Sequence, residues 1–213
     1  LYEIPFGTVS RKAYSPGASK KGEWPAQRFV TLEDESFGVA LINTGVPGVE
    51  IADGIIRSTL LRAPTSEYAG MIPDDTSSQH GHHDFSFAIV PYRGKWQDSP
   101  VFACAESLNS PACIVKGSVS PVLACNSLVR LEGGTTALSC IKLPQDQALG
   151  EIVLRLFEYG GRESRTILQI KQAMAAWMTD LLERKGEEIA VTAQGIHVIL
   201  RPYEIKTIRI KRK

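Results

Sequence analysis

The chain is predicted to be all-β: a large sandwich or supersandwich domain over residues 1–148, then a small C-terminal β-sandwich over 149–213. Three observations lead there. Short apolar runs with a two-residue alternation recur along nearly the whole chain. Gly, Pro and Asp punctuate them at short intervals, as expected of many short strands joined by turns. A fresh alternating run starts after Gly150, which places the division near residue 148.

In order, Arg28-Phe29-Val30-Thr31-Leu32 alternates and ends at the acidic turn Glu33-Asp34-Glu35-Ser36. Gly38-Val39-Ala40-Leu41-Ile42-Asn43 is continuously apolar, which suits a strand covered on both faces. Val49–Ala52 meets Ile55–Leu61 across Asp53-Gly54, a strong hairpin signal. Phe85–Val90 alternates and is expected to stop at Pro91, and Gly133-Gly134 separates Leu123–Leu131 from Thr135–Leu143 in the manner of a hairpin. Glu151–Glu158 alternates, Gly160-Gly161 turns it, and Thr166–Ile170 follows. Ala173, Ala176, Trp177, Leu181 and Leu182 stand at near-helical spacing, so Gln172–Arg184 reads either as a short helix or as an irregular strand with a loop. Ile196–Leu200 and Ile205–Ile210 close the chain, with Pro202 marking an edge or a bend. The segment from Ala63 to His83 has little periodicity, and loops of that length in a compact β-domain are usually functional or disordered.

At 213 residues, 43% hydrophobic and 22% charged, the chain can bury a sizeable core. A net charge of +1 gives no electrostatic case for nucleic acid or a membrane surface, and no apolar run approaches the roughly 20 residues of a membrane helix. Cys104, Cys113, Cys125 and Cys140 match no zinc spacing and are expected to be free, small buried hydrophobes. No signal peptide is visible, and a cytoplasmic location is expected. The start at Leu1-Tyr2-Glu3-Ile4, without an initiator methionine, fits a fragment and fits a processed chain equally.

Six strings, in order and covering most of the chain, carry a family resemblance. They are Glu3-Ile4-Pro5-Phe6-Gly7 with Arg11; Glu23-Trp24-Pro25-Ala26-Gln27-Arg28-Phe29-Val30; Gly38–Asn43 running to Leu60-Leu61-Arg62-Ala63-Pro64; His83–Pro91 with Gly94 and Trp96; Leu154-Arg155-Leu156-Phe157-Glu158 with Gly161; and Pro202-Tyr203-Glu204-Ile205-Lys206-Thr207. Together they resemble the C-terminal region of family 38 α-mannosidases, especially the shorter bacterial kind. The family often has His after Pro91, where this chain has Tyr92. The resemblance implies a non-catalytic β-sandwich region that scaffolds its own N-terminal catalytic domain. That domain would supply the aspartate nucleophile, the acid/base and a zinc, so no cofactor is expected in this chain, and the chain is expected to be inactive alone. Nothing in the sequence resembles that domain. A retaining glycosidase needs two carboxylates about 5–5.5 Å apart, and the acidic residues here sit at turns or scattered along strands.

The polar stretch Asp74–Asp84 holds three of the four histidines. His80 and His82 would share a face of an extended segment, and two His with an Asp is a partial zinc set. A catalytic zinc needs three ligands with supporting partners, which favours another reading. In the reading that the resemblance implies, the Arg62–His83 loop closes a sugar pocket, with Arg62, Asp74, Asp75, His80, His82 and His83 contacting an α-mannoside glycan; a plain surface loop is the alternative. Trp24, Trp96 and Trp177 read as packing residues ahead of a sugar-stacking platform. His197 reads as a strand surface residue, and Lys206–Lys213 as a strand with one solvated face. Two further whole-chain readings stay open: a free-standing carbohydrate-binding module, which requires exposed coplanar aromatics, and a structural β-sandwich that forms a homo-oligomer.

Overall fold

The structure is a computed structural model that describes residues 1–11, 22–61, 81–114, 116–117 and 127–213. It is built mainly of β-strands, and the chain divides into two compact units. One comprises Leu1–Pro5 and Val9–Cys113, the other Phe6–Thr8 and Ile114–Lys213.

The first unit contains β1 (Tyr2–Ile4), β3 (Trp24–Pro25), β4 (Phe29–Glu33), β5 (Phe37–Asn43), β6 (Gly48–Ala52), β7 (Ile55–Ser58), β8 (Phe87–Arg93) and the helix α1 (Val101–Asn109). β2 (Gly7–Val9) contains the point where the chain passes between the two sets of residues. In the larger sheet β1, β4, β5 and β8 lie side by side, and β3-β6-β7 form a smaller one. Successive residues of a strand face opposite sides, and each side of the larger sheet finds a cover. Val30, Leu32 and Leu41 pack with Val49 and Ile51 of β6 and Ile56 of β7. On the other side Phe29 meets Trp96, ring centroids 5.6 Å apart, and α1 packs on β5, where Asn109 Nδ2 donates to the Asn43 carbonyl at 3.0 Å. This two-sided cover is what the continuous apolar run 38–43 predicts. Gly38 is needed there, since a Cβ would stand 2.3 Å from Cζ of Tyr92. Tyr92 is buried and donates its hydroxyl to Glu33 at 2.9 Å, and burial pushes its pKa upward.

The Asp53-Gly54 hairpin forms as read. Both residues have positive φ, 56° and 74°, and Ala52 faces Ile55 across it. β8 does not stop at Pro91 but runs on to Arg93; it is the last strand of its sheet, and proline's missing N–H is tolerated at an edge. No helix was expected at 101–109. Val101, Phe102 and Ala105 form its buried stripe, and the Ser99 hydroxyl accepts the Val101 N–H at 3.3 Å.

Two strings of the resemblance meet in this unit. Glu3, buried, takes the Arg28 N–H and Nε–H at 2.9 Å, and Arg28 also pairs with Glu106 of α1 and lies over the Phe102 ring at 5.1 Å. Arg11 lies over both Tyr2 and Trp24, 4.8 and 4.9 Å from the ring centroids.

The second unit contains β9 (Val129–Glu132), β10 (Thr136–Lys142), β11 (Glu151–Glu158), β12 (Ser164–Ile170), β13 (Ala173–Thr179), β14 (Lys185–Ile189), β15 (Ile196–Leu200) and β16 (Ile205–Arg212). Its sheets are ordered β10-β11-β16-β13-β14 and β15-β12-β9. Leu154, Leu156, Leu168, Ile196, Leu200, Ile208 and Ile210 are buried together in one core, each contributing about 1.5–3 kcal/mol of transfer free energy.

β9 pairs with β12 and β10 with β11, so both belong with strands later in the chain. Gly133-Gly134 is no hairpin, because β9 and β10 lie in different sheets and the glycines carry the chain across. Gly160-Gly161 and the 201–204 turn make the same kind of crossing. Glu158 pins them: fully buried, it accepts the N–H groups of Gly160 (2.7 Å), Gly161 (2.8 Å) and Tyr203 (3.0 Å) and the Thr135 hydroxyl. The open reading of 172–184 resolves to a strand, β13, and a turn. Irregular register at Ala173/Ala175 and at Trp177/Thr179 breaks the two-residue alternation and leaves a helix-like spacing.

Candidate functional site

Of the residues proposed to contact sugar, Arg62, Asp74, Asp75 and His80 lie outside the described residues; His82 and His83 lie within them. Both are exposed and lie in the segment, without regular secondary structure, that leads into β8. His82 Nε2 stands 3.2 Å from Asp84 Oδ1, and the His83 ring stacks on Phe85 with centroids 6.3 Å apart. The segment thus offers imidazole and carboxylate groups to solvent, suited to hydroxyl contacts. Among the described residues no three His, Cys, Asp or Glu side chains group as a metal site.

A second polar centre lies in the second unit. Arg209 was read as part of a solvated strand face, but it is buried beneath the 143–150 and 180–184 turns. Its guanidinium donates to Glu151, to both carboxylate oxygens of Asp146 at 2.8 Å and to the Glu183 carbonyl at 3.4 Å. Lys185 donates to Glu151 at 2.7 Å and lies 3.9 Å from the centre of the Trp177 ring. Glu183 accepts Lys142 and the Gln145 N–H, the latter at 2.7 Å. An open cleft of about 720 Å³ runs over Asp146, Glu151, Glu183, Lys185 and Arg209. No local pattern announces this centre, because its members come from three strands and two turns far apart in sequence.

The electrostatics define what this centre can do. Hydrogen bonding from Arg209 holds Asp146 below the usual carboxylate range. Burial raises Glu151, but hydrogen bonds from Lys185 and Arg209 outweigh it and leave it low. The Lys142 contact lowers Glu183, while Asp146 and Glu151 raise Arg209 against the effect of its burial. All three carboxylates are therefore ionised and committed at neutral pH. General-acid chemistry needs a carboxyl held protonated, and this set instead fixes two turns in place.

The tryptophans divide. Trp96 is fully buried and is a packing residue; Trp24 is 41% exposed but carries Arg11 over its face, and Trp177 carries Lys185. Of the cysteines, Cys104 and Cys140 are half-buried and Cys113 is exposed, so Cys113 departs from the expected buried thiol; all three are free, and Cys125 lies outside the described residues.

Residues 1–76 match the glycosyl hydrolases family 38 C-terminal domain, and residues 135–208 match the glycosyl hydrolases family 38 C-terminal beta sandwich domain. The class is thus that of the C-terminal β domains found in glycosyl hydrolases family 38. The chain belongs to family 38. It is 31% identical to alpha-mannosidase 2C1 of Homo sapiens over 86% of the chain and 17% of that protein. To alpha-mannosidase G of Dictyostelium discoideum it is 26% identical over 98% of the chain and 19% of that protein. To a putative mannosylglycerate hydrolase of Halalkalibacterium halodurans it is 22% identical over 87% and 20%. The crystal structure of an alpha-mannosidase from Enterococcus faecalis V583 shares the fold, with a TM-score of 0.77 at 21% identity over 99% of this chain and 24% of that one. The chain therefore spans about a fifth of the length of these relatives. Among the described residues no helix is long and apolar enough to cross a membrane.

Proposed function

We propose that this chain is the β-sandwich portion of a larger α-mannoside-hydrolysing enzyme, and that it scaffolds a catalytic domain lying N-terminal to it in the same polypeptide. One observation carries this: both units match C-terminal domains of one glycosyl hydrolase family, and the relatives bearing that region include proteins named alpha-mannosidase. The nucleophile, the acid/base and the zinc belong in this reading to the catalytic domain. The chain alone binds no cofactor and hydrolyses nothing, and the whole enzyme works in the cytoplasm.

The chain's own part in catalysis is the segment from Arg62 to His83. Arg62, Asp74, Asp75, His80, His82 and His83 line the sugar pocket and donate to or accept from mannose hydroxyls. The exposure of His82 and His83 beside Asp84 supports this, since it leaves polar groups at the solvent surface. Deleting Thr76–Gly81 in the complete enzyme is expected to lower kcat/KM and change linkage preference. Unchanged values for both would make the segment an ordinary surface loop.

A further inference from the structure

We infer that the outer face of β8 is the surface on which the catalytic portion of the polypeptide docks. This rests on the function proposed above and adds the location of the contact.

Among the described residues, the cover on one side of the larger sheet does not extend over its edge strand. Residues directly opposite in an antiparallel pair share a face, so Ile89 lies beside Leu41, Pro91 beside Val39 and Arg93 beside Phe37. This is the face that β6 and β7 cover further along, where Leu41 joins the core of Val30, Val49 and Ile51. Among the described residues the cover ends before β8. Ile89 is left 72% exposed, Phe37 50% and Phe87 36%, whereas Tyr92 on the reverse face is 5% exposed. An apolar strip continuous with a core, on a strand that is otherwise regular, marks a contact surface. Pro91 lies mid-strand and removes an N–H from β8, which disfavours a partner that pairs along the edge and favours one that packs on the face.

The occupant follows from reach. His83 is four residues before Phe87, at most about 14 Å of extended chain. If His82 and His83 line the sugar pocket, the domain that owns the pocket stands within that distance of Phe87. The relatives have room for such a domain, since more than three-quarters of each lies outside the matched region.

The test is hydroxyl-radical footprinting of the complete gene product and of the 213-residue chain. Phe37, Phe87 and Ile89 are expected to label several-fold less in the complete enzyme, while Trp96, buried in the unit's own core, stays unlabelled in both. Equal labelling of the three side chains would overturn the docking surface. It would leave the function standing if the Thr76–Gly81 deletion still lowers kcat/KM. A native product of 213 residues with no further domain would overturn both. Should Trp96 label in the isolated chain, showing that it does not fold alone, the complete enzyme carrying Ile89→Lys decides. A lower Tm and lower activity are expected; values equal to those of the parent enzyme would sink the proposal.

Discussion

Glu158 shows what one residue must do when a sandwich turns three corners in one place. Its carboxylate has no exposed surface and accepts four donors from three separate turns. A glutamine at 158 puts an NH2 group where an oxygen faces N–H donors, leaving buried donors unpaired. Glu158→Gln is expected to destabilise the second unit by about 3 kcal/mol, read as a lower urea midpoint at constant slope. Glu163→Gln, an exposed carboxylate paired with Arg165, should change it by no more than about 0.5 kcal/mol. Comparable losses from both would remove the special role of Glu158. The sequence places Glu158 inside a family string, but it does not reveal the burial, because the donors Thr135 and Tyr203 are 23 and 45 residues away.

At the level of elements, two glycine turns that look alike in sequence behave differently. Asp53-Gly54 and Gly133-Gly134 both read as hairpins, and all four residues have positive φ. The first joins neighbours in one sheet; the second crosses between sheets. Local turn chemistry is legible because φ is a single-residue property, whereas the identity of the sheet a strand enters is decided by distant partners. A Cβ on Gly54 meets nothing within 4 Å, so Gly54→Ala should cost only the left-handed backbone penalty, about 1–2 kcal/mol. A Cβ on Gly134 stands 2.1 Å from the Ser164 hydroxyl and 3.0 Å from that of Thr166, both in the hydrogen-bonded cluster around Thr135 and Thr136. Gly134→Ala should therefore lower Tm clearly more than Gly54→Ala, and equal shifts would refute the crossing. The helix α1 escaped the sequence reading for a related reason: nine residues give only two turns of pattern, and its stability comes from β5 beneath it. Among the candidate site residues, the exposed histidines were legible as a cluster, while the Arg209 centre, assembled by tertiary folding, was not.

Across the molecule as a whole, the ionisable groups that stabilise the fold are unevenly shared. In the second unit Asp146, Glu151 and Glu183 all have pKa values lowered by their cationic partners, and they hold the 143–150 and 180–184 turns over the face of β16. In the first unit the carboxyl shown to be lowered at a turn is Asp34, held by the N–H groups of Ser36 and Phe37 in an exposed hairpin. A carboxylate whose folded-state pKa lies below its unfolded value contributes stability that is present above the unfolded value and is lost as pH falls through the folded one. The loss in the second unit should begin below the ordinary values of 4.5 for Glu151 and Glu183 and 3.8 for Asp146. Protonation there leaves Arg209 buried with its partners neutralised, which is costly in a way that losing an exposed pair is not. Hydrogen exchange at neutral pH and again about one unit below the ordinary aspartate value tests this. The amides of β11, β13, β14 and β16 are expected to lose protection while β4 and β5 keep theirs. If β4 and β5 open first, or all strands open together, the Arg209 network is not what gives the second unit its acid sensitivity.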